Sequence, residues 1–512
     1  MFDERTPLLP EILALHGRWR GASPAIVAPD RSIDWATFDR CGNRVANALI
    51  ASGARHGDRV GLLMSNCIEM LEIILGVMKA GCVCVPLNTS ITDASAMAML
   101  RDSGASFVFA TSDHAGRLEL AKDVRHVEVG GPAEPRSRWQ SYAIWLGGAR
   151  DVAPARPIAA SDLCNIIYSS GTTGEPKGIV HTHGTRLLWA YDLSLALRYH
   201  SGARTLIVTG LYSNISWAAM LCTFLNGGTL VLRPAFDVVD TLATVARERI
   251  THTAMVPVQY RRILDDPALK ETDCSSLQAM MCVGSPLPVA VKARLFEVFR
   301  CGVIETYGST EGIITFLAPE EAAGRLASVG KPPPGLDLRI LDADDRPLGT
   351  GEAGEVVGRS RFVSLGYWKK PEATASAMWI DDDGSAWLRS GDIGRLDAEG
   401  YLYIVDRKKD LILSGGQNIY PADIESELIR HPEVVECAVI GVPNEAWGES
   451  PLAFVVLRDG AQATGETMRA WINARIGRQQ RVAAVEVRVS LPRNAAGKVL
   501  KRELREPYWP KP

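Results

Sequence analysis

The chain has 512 residues, and its 56 lysines and arginines against 59 aspartates and glutamates give a formal net charge of −3 at pH 7. This balance argues against a nucleic-acid-binding or polybasic membrane-binding protein, because such proteins usually carry a large basic excess. Hydrophobic residues make up 46% and charged residues 22% of the chain, which excludes disorder as the main state and predicts roughly two to four globular domains at this length.

The N-terminal segment and the cysteines bear on where the protein works. No long apolar stretch follows the N-terminus, and the most apolar run, residues 73–85, is interrupted by Lys79 and Gly81. Neither a signal peptide nor a membrane-spanning helix is therefore predicted. The ten cysteines are scattered, and the close pair Cys82 and Cys84 lacks the CxxC spacing of a metal site. We predict reduced, buried thiols and a cytoplasmic protein.

Strand-like and helix-like segments alternate from about residue 59. The strand-like segments are continuously apolar, which is typical of a parallel sheet that helices bury on both faces. The pattern predicts an α/β fold with mixed or parallel sheets sandwiched by helices. In chain order the predicted strands are residues 59–64, 83–87, 107–110, 205–209, 229–232 and 253–256, and the helices between the first three are residues 68–80 and 95–103.

A loop rich in glycine and hydroxyl side chains follows the apolar residues 166–168. It offers backbone N–H groups, hydroxyls and a lysine at close range, which is the chemistry that a polyphosphate needs. A Walker A loop is excluded, because counting from Gly171 puts Pro176 where its second glycine belongs and Gly178 where its serine or threonine belongs. The candidate phosphate-binding residues are Ser169, Ser170, Gly171, Thr172, Thr173, Gly174 and Lys177.

Two histidines, His181 and His183, follow this loop. No carboxylate or cysteine stands at a spacing that would complete a metal site with them. We predict instead that they are a strand residue and a helix-start residue.

From about residue 335 the sequence pattern changes to short strand-like segments separated by turns that contain Gly, Asp and Pro. This pattern predicts a β-rich subdomain. Pro421 stands at the start of a helix-like stretch, residues 421–430, where its missing N–H is tolerated. Strand-like residues 434–440 and 452–457 and a helix near residues 466–475 then complete a small α+β domain.

Residues 168–178 read YSSGTTGEPKG and resemble the phosphate loop of the adenylate-forming (ANL) superfamily. That superfamily contains acyl-CoA synthetases and related AMP-dependent ligases, the adenylation domains of nonribosomal peptide synthetases, and firefly luciferase. Other stretches resemble its further motifs in the expected order, so the resemblance covers nearly the whole chain. They are GSPLP at 284–288 beside adenine, ETYGSTEG at 305–312 for adenine stacking and magnesium, SGD at 390–392 for ribose, DRKKD at 406–410 at the hinge, SGGQNIYP at 414–421 for the thioester step, and PRNAAGK at 492–498 with the terminal lysine.

The resemblance implies a fold and a reaction. A large N-terminal adenylation domain, residues 1–406, would carry the ATP and acid pockets and a β-rich subdomain. A hinge at residues 407–409 would join it to a small, mobile C-terminal α+β lid, residues 410–512. An acid would be joined to AMP with release of pyrophosphate, and CoA would then take the acyl group as a thioester. ATP, Mg²⁺ and CoA are the implied cofactors, and a small carboxylic acid is the implied substrate.

The resemblance also assigns roles in the first step. Lys498 would be the main cation, bridging the carboxylate and the α-phosphate. Glu311, with Thr173, would hold Mg²⁺, and Thr310 would lie near the α-phosphate. The other nucleotide contacts would come from the phosphate loop, from Gly284, Ser285 and Pro286 beside adenine, from Tyr307 stacked on the ring, from Asp392 on the ribose, and from Arg407 in support.

For the second step, the resemblance makes Lys409 the hinge residue. Gly415 and Gly416 would lie close to the pantetheine arm of CoA, because glycine has no Cβ to keep a ligand away; a simple turn is the alternative interpretation. Acetylation of Lys498 would remove its charge, so a lysine acetyltransferase is a candidate partner. A homodimer is a candidate assembly.

The predicted acid pocket contains Tyr212, Ser213, Asn214, Trp217 and Gly308, with Ile313 nearby. Family members that activate amino acids carry an aspartate where this chain has Ser213, and its lack argues against an amino acid. Acyl- and aryl-CoA synthetases commonly carry a histidine there. Thr306 stands where malonate-activating members carry an arginine, so a dicarboxylate is less favoured. An apolar wall with neutral polar groups predicts a neutral aryl, cyclic or medium-chain aliphatic acid.

Two alternatives to a CoA ligase remain open. The first is an acyl-AMP ligase that delivers the acyl group to a carrier protein in trans, although the lack of a carrier domain after Lys498 favours free CoA. The second is a catalytically silent nucleotide-binding protein, against which the presence of Lys498, Glu311 and the loop hydroxyls argues.

Overall fold

The computed structural model describes residues 6–118, 123–131, 138–169, 177–414, 417–445, 447–493 and 498–509. Contacts divide the chain into two units. The first comprises Met1–Leu336 with Arg359–Met378, and the second comprises Asp337–Gly358 with Trp379–Pro512. Of the helices within the described residues, none combines the length and the apolar character that crossing a membrane requires.

The first unit contains the two helices that the hydrophobic pattern predicts between residues 59 and 110. The predicted helix 68–80 is found at Ile68–Lys79 and is almost wholly buried, and the predicted helix 95–103 begins slightly earlier, where the Thr92 side chain caps it. In chain order the helices are α1 (Leu9–Trp19), α2 (Trp35–Ala51), α3 (Ile68–Lys79), α4 (Asp93–Ser103), α5 (Ser112–Ala115), α6 (Tyr142–Trp145), α7 (His183–Ala196), α8 (Asn214–Asn226), α9 (Val238–Arg247), α10 (Pro257–Asp265), α11 (Val289–Val298) and α12 (Pro371–Ser376).

The strands of the first unit form two sheets. They are β1 (Pro24–Val27), β2 (Ser32–Asp34), β3 (Arg59–Leu63), β4 (Val83–Pro86), β5 (Ala105–Thr111), β6 (Arg125–Val129), β7 (Gln140–Ser141), β8 (Leu163–Ser169), β9 (Lys177–Thr182), β10 (Arg204–Ile207), β11 (Thr229–Leu232), β12 (His252–Met255), β13 (Ala279–Cys282), β14 (Ile304–Gly308) and β15 (Ile314–Leu317). One sheet has the order β15-β14-β13-β12-β10-β11-β1-β2, and the other has the order β7-β6-β5-β3-β4-β8-β9.

Both sheets are parallel except at their edges. The antiparallel pairs are β1–β2, β14–β15 and β8–β9. Apolar side chains of α9, α10 and α11, among them Leu242, Tyr260 and Leu295, pack in one core with strand residues such as Leu206 and Met280. Burial between helices explains the continuous apolar runs in the strands, and the predicted α/β fold is confirmed.

The second unit is rich in strands. Its elements are β16 (Leu336–Leu341), β17 (Gly354–Ser360), β18 (Met378–Ile380), β19 (Ala386–Leu396), β20 (Leu402–Arg407), β21 (Ile412–Ser414), β22 (Gln417–Ile419), α13 (Pro421–Leu428), β23 (Val434–Asn444), β24 (Gly448–Leu457), α14 (Gly465–Asn473), β25 (Ala484–Arg488) and α15 (Lys501–Arg505). One sheet has the order β16-β17-β19-β18 with β20 on β19, and the other has the order β22-β21-β24-β23 with β25 on β24.

The limits of the second unit differ from those of the predicted lid, because strands β16 to β20 group with the C-terminal residues. Asp406, at the end of β20, helps to join them, since its Oδ2 accepts a hydrogen bond from the Ala422 N–H at 2.9 Å. Helix α13 begins at Pro421, as predicted, and packs Ile424 and Leu428 into the core of the C-terminal sheet. The domain boundary at residue 406 stays a prediction.

Candidate active site

The predicted phosphate loop connects β8 to β9, two antiparallel strands. Their pairing sets Ser169 opposite Lys177 and Tyr168 opposite Gly178, so the two ends of the loop are held close together. Residues 170–176 lie outside the described residues, and so do the predicted contacts of Ser170, Gly171, Thr172, Thr173 and Gly174. Of Ser169 only the backbone is described.

A segment from a distant part of the chain, residues 364–368, runs along β9; we call it the edge segment. Backbone hydrogen bonds of 2.7 to 3.0 Å join it to Gly178 and Val180. Its aromatic residue Tyr367 lies beside the phosphate loop, with Lys177 Nζ 4.9 Å from the centroid of the Tyr367 ring. The edge segment thus places an aromatic ring against Lys177, the lysine that the sequence assigns to phosphate binding.

Tyr367 also holds the predicted magnesium ligand. Its hydroxyl donates to Glu311 Oε1 at 3.0 Å, and the Ser364 N–H donates to the Glu311 carbonyl at 2.7 Å. Burial, and then the charge of Glu311, raise the pKa of Tyr367, which keeps the hydroxyl protonated as a donor. Sequence analysis missed Tyr367, because an aromatic residue after a glycine does not differ from an ordinary core residue.

A single carboxylate suits the way in which Mg²⁺ is usually bound, by one or two carboxylates together with waters and substrate phosphates. In the described part of the chain there is no group of three or more His, Cys, Asp or Glu side chains that could hold a metal. Half-buried Glu311 fits a metal that is shared with phosphate oxygens. Thr173, the other predicted ligand, lies outside the described residues.

We expect Tyr367→Phe to raise the Mg²⁺ concentration needed for half-maximal pyrophosphate release by about ten- to a hundredfold, because Glu311 loses the hydrogen bond that orients it. The measurement is pyrophosphate release titrated with Mg²⁺ at saturating ATP. Tyr403→Phe is the matched control, since the Tyr403 hydroxyl bonds to a different carboxylate, Asp397, at 3.2 Å. An unchanged Mg²⁺ midpoint in Tyr367→Phe would contradict the role given to this hydroxyl.

The predicted adenine-stacking residue, Tyr307, stands half-buried on β14. Its neighbours Glu305 and Thr306 are buried, and Glu305 forms an ion pair with Lys292 of α11. Burial raises the pKa of Glu305, and the Lys292 charge opposes this shift. This ion pair ties β14 to α11, whereas Gly308, the last residue of β14, is exposed. The geometry therefore suits a ring presented near the C-terminal end of β14.

Thr310 and the segment beside adenine are held by buried contacts. His181 Nε2 lies 2.9 Å from the Thr310 carbonyl, and since a carbonyl only accepts, Nε2 carries the proton. Burial holds the pKa of His181 well below its usual range, so the ring is neutral. The predicted strand and helix-start positions of His181 and His183 are confirmed, in β9 and at the first residue of α7. Gly284 has φ +101°, a conformation that favours glycine.

Gly284, directly before Ser285 and Pro286 in the predicted adenine segment, lies close to α8. A Cβ built on Gly284 would lie 3.2 Å from Ile215 Cδ1. The N-terminus of α8 and the predicted adenine segment are therefore neighbours in the first unit.

Three predicted acid-pocket residues stand where α8 begins. Ser213 is its N-cap, since its Oγ accepts from a backbone N–H of the first turn at 3.3 Å. Tyr212 and Asn214 are half-buried, whereas Trp217 is fully buried and its Nε1 donates to a backbone carbonyl at 2.9 Å. Arg186 of α7, which sequence analysis missed, donates from Nη1 to Asn214 Oδ1 at 2.9 Å. Ser213 thus has a structural role of its own at the family's histidine position.

The second unit brings together the predicted ribose and lysine residues. Asp392 on β19 lies opposite Arg407 on β20, and Arg407 Nε is 2.7 Å from Asp392 Oδ1. Lys498 lies close enough to both for their charges to act on it. Burial, and then the positive charges of Arg407 and Lys409, lower the pKa of Lys498 to about 8, although nearby aspartates, Asp392 among them, oppose the shift. Motifs that are far apart in the sequence therefore form one cluster.

This lowered pKa predicts a pH effect. Lys498 is charged below about pH 8 and neutral above it, so kcat/KM for ATP in adenylation is expected to fall about tenfold per pH unit above that value. The decrease of kcat should begin at a higher pH than the decrease of kcat/KM, because bound phosphates favour the charged lysine. Pyrophosphate release measured from pH 6.5 to about 9.5 checks this expectation. A kcat/KM that stays flat across that range would contradict it.

The predicted hinge and thioester loop lie between Asp392 and Lys498 in the sequence. Lys409 lies in a short 3₁₀ helix (Lys408–Asp410), and Arg505 of α15 donates to its carbonyl at 3.1 Å. Gly415 and Gly416 connect β21 to β22 and lie outside the described residues. Arg505, which sequence analysis also missed, is the contact that ties the C-terminal helix to the predicted hinge.

Comparisons with known proteins match most of the chain. The family model for AMP-binding enzymes matches residues 16–368, and the model for the AMP-binding enzyme C-terminal domain matches residues 423–498. A feruloyl-CoA synthase from an Amycolatopsis species is 36% identical over 481 residues, which are 93% of this chain and 94% of that protein.

Two further likenesses extend over nearly the full length. The fatty acid–[acyl-carrier-protein] ligase ScoC of Streptomyces coeruleorubidus is 32% identical over 520 residues, 98% of this chain and 96% of that protein. The crystal structure of ATP-bound MatB from Rhodopseudomonas palustris superposes with a TM-score of 0.88 at 30% identity, covering 98% of this chain and 99% of that chain.

Proposed function

Because this chain belongs to the family of AMP-binding enzymes, we propose that it is an ATP-dependent acid–CoA ligase that works through an acyl-adenylate. In the first step a carboxylate oxygen attacks the α-phosphorus of ATP, the bond from that phosphorus to the β-bridging oxygen breaks, and pyrophosphate leaves. In the second step the deprotonated CoA sulfur attacks the acyl carbonyl, and the carbon–oxygen bond to AMP breaks. The products are an acyl-CoA thioester and AMP.

The cluster of Lys498, Asp392 and Arg407 is the observation that carries this proposal. Two anions must meet in the first step, so a fixed positive charge near the reacting atoms lowers the barrier. Lys498, with a pKa of about 8, carries that charge at neutral pH. Asp392 is buried and oriented by Arg407, which suits a carboxylate that accepts hydrogen bonds from the two ribose hydroxyls.

The first unit contains further residues that the proposed reaction would use. Glu311, oriented by Tyr367, is the side chain that would hold Mg²⁺, and Lys177 stands beside the same tyrosine ring. When bound, the metal neutralises charge on the phosphate oxygens. Thr310, whose carbonyl is held by His181, would contribute its hydroxyl near the α-phosphate.

For the acid, we propose a neutral aryl, cyclic or medium-chain aliphatic substrate. The half-buried groups where α8 begins are the phenol of Tyr212, the hydroxyl of Ser213 and the amide of Asn214, and none of them is charged. A feruloyl-CoA synthase among the relatives supports an aryl acid. The cytoplasm as location, the hinge at Lys409, a homodimer and control by acetylation of Lys498 remain proposals, the last of which mass spectrometry of the native protein tests.

One alternative acceptor has support from the comparisons. ScoC, a relative that covers nearly the whole chain, is named as a ligase for an acyl-carrier protein. The test is to incubate the purified protein with ATP, Mg²⁺ and short, medium, aryl, cyclic and dicarboxylic acids, with CoA or with a phosphopantetheinylated carrier protein. We expect pyrophosphate and acyl-CoA from one class of acid. A thioester on the carrier alone would favour the alternative, and the lack of acid-dependent pyrophosphate would overturn both.

A further inference from the structure

Arg186 of α7 is a buried cation without a carboxylate partner among the residues that the structure describes. The side chain is 1% exposed. Its Nε donates to Asn165 Oδ1 and its Nη1 to Asn214 Oδ1, each at 2.9 Å. Its guanidinium carbon lies 5.4 Å from the ring centroids of both Trp189 and Trp217. Two amide oxygens and two aromatic faces therefore stabilise the guanidinium and fix its Nε and Nη1, whereas its Nη2 is buried without a hydrogen-bond partner among the described residues.

This arrangement fixes which way the Asn214 amide faces. A guanidinium has five N–H donors and no acceptor, so only the amide oxygen of Asn214 can face Arg186. The Asn214 NH₂ group must then face away from Arg186. Asn214 is half-buried, and within the described part of the chain its Nδ2 has no hydrogen-bond partner. The residue thus presents a donor whose orientation a buried cation determines.

The Asn214 NH₂ group lies among residues of the candidate site. Asn214 is the first residue of α8, directly after the N-cap Ser213, and the side chain of the next residue, Ile215, lies where a Cβ on Gly284 of the adenine segment would meet it at 3.2 Å. On its other side, the Arg186 cluster adjoins His181, which holds the Thr310 carbonyl. The donor therefore belongs to the group of first-unit residues that we predict to line the acid pocket.

We propose that the Asn214 NH₂ group selects acids that carry a neutral oxygen acceptor on their hydrocarbon body, such as a ring ketone or an aryl ether. This inference rests on the proposed function and names a substrate class for its acid pocket. When an acid without such an oxygen fills the pocket, the amide donor would lose its water and gain no partner. An unpaired buried donor costs free energy, so acids of this kind are expected to react with a much lower kcat/KM. A second carboxylate is disfavoured, because the cation that contacts Asn214 in the described part of the chain, Arg186, is itself buried and already bonded to the Asn214 oxygen.

Asn214→Asp tests the proposal with an isosteric change. The aspartate still accepts from Arg186, but an oxygen replaces the outward donor and repels an acceptor on the substrate. The probes are two matched pairs of acids, cinnamate with para-methoxycinnamate and cyclohexylpropanoate with its ring-oxo counterpart. The readout is the ratio of kcat/KM for the oxygenated acid to kcat/KM for its parent. We expect the wild-type ratio to exceed one and to fall about ten- to a hundredfold in the variant.

A control and a second variant complete the experiment. Asn226→Asp makes the same change at the other end of α8, where the amide bonds to Ser194 and to the Cys222 carbonyl, and should keep the wild-type ratio. Asn214→Leu removes the donor without adding charge and should also lower the ratio. If both Asn214 variants keep the wild-type ratio, or if the wild type prefers neither oxygenated acid, the inference is overturned, provided that the enzyme still converts the acids. A wild type that releases no pyrophosphate with any acid would instead overturn the proposed function and, with it, the inference.

Discussion

Replacing Lys498 by alanine is expected to lower the rate of pyrophosphate release by about 10² to 10³, because the first step then lacks its preorganised positive charge. Lys498 shares a cluster with Asp392 and Arg407, and burial has already removed much of its hydration. An ammonium group that is held in this way stabilises a developing negative charge more strongly than an ammonium group in water does. The measurement is single-turnover formation of acyl-AMP with saturating ATP and acid.

The second half of the reaction provides the internal control. Thioester formation from preformed acyl-AMP and CoA should be affected far less than adenylation in Lys498→Ala, because the charge on the α-phosphate no longer has to be neutralised for bond formation. Lys270→Ala, at an exposed lysine of the first unit, should stay within about twofold of wild type in both steps. Equal losses in both steps would argue that Lys498 acts on the fold and not on adenylation.

Glu311→Gln is the second substitution with a large expected effect, a loss of about 10² in kcat/KM for MgATP. Glutamine keeps an oxygen that can accept from the Tyr367 hydroxyl, which lies 3.0 Å from the carboxylate. The change therefore removes the negative charge while it preserves the local hydrogen bond. A loss of this size would report weaker binding of Mg²⁺, and the Mg²⁺ concentration needed for the half-maximal rate should rise with it.

The matched control is Glu320→Gln, which changes an exposed glutamate that is paired with Arg198. Surface ion pairs of this kind contribute little to stability, so this variant should keep the wild-type Mg²⁺ titration. If Glu311→Gln gave the same titration as Glu320→Gln, the assignment of Glu311 to the metal would be contradicted.

The sequence predicts the parts of this protein that local patterns encode. Apolar runs between helices predict the buried parallel sheets, and the position of Pro421 predicts the start of α13. The motifs also predict that Asp392 and Arg407 belong to one site, and the structure pairs them at 2.7 Å across neighbouring strands. In these cases a short stretch of chain contains the whole signal.

The residues that sequence analysis missed depend on contacts between distant parts of the chain. Tyr367 gains its role only because the edge segment pairs with β9 and reaches Glu311. Arg186 orients Asn214 across two helices, and neither residue stands in a motif that would announce this. The pocket was predicted from residues near the family's histidine position, where the structure instead gives Ser213 the role of a helix cap.

The central claim, that a carboxylate oxygen becomes bonded to the α-phosphorus of ATP, is tested most directly by isotope transfer. An accepted acid labelled with ¹⁸O in its carboxylate is converted to the thioester with ATP and CoA, and the nucleotide product is analysed by mass spectrometry. The account predicts AMP that carries one labelled oxygen, together with unlabelled pyrophosphate. Unlabelled AMP, or ADP with the label in inorganic phosphate, would contradict it.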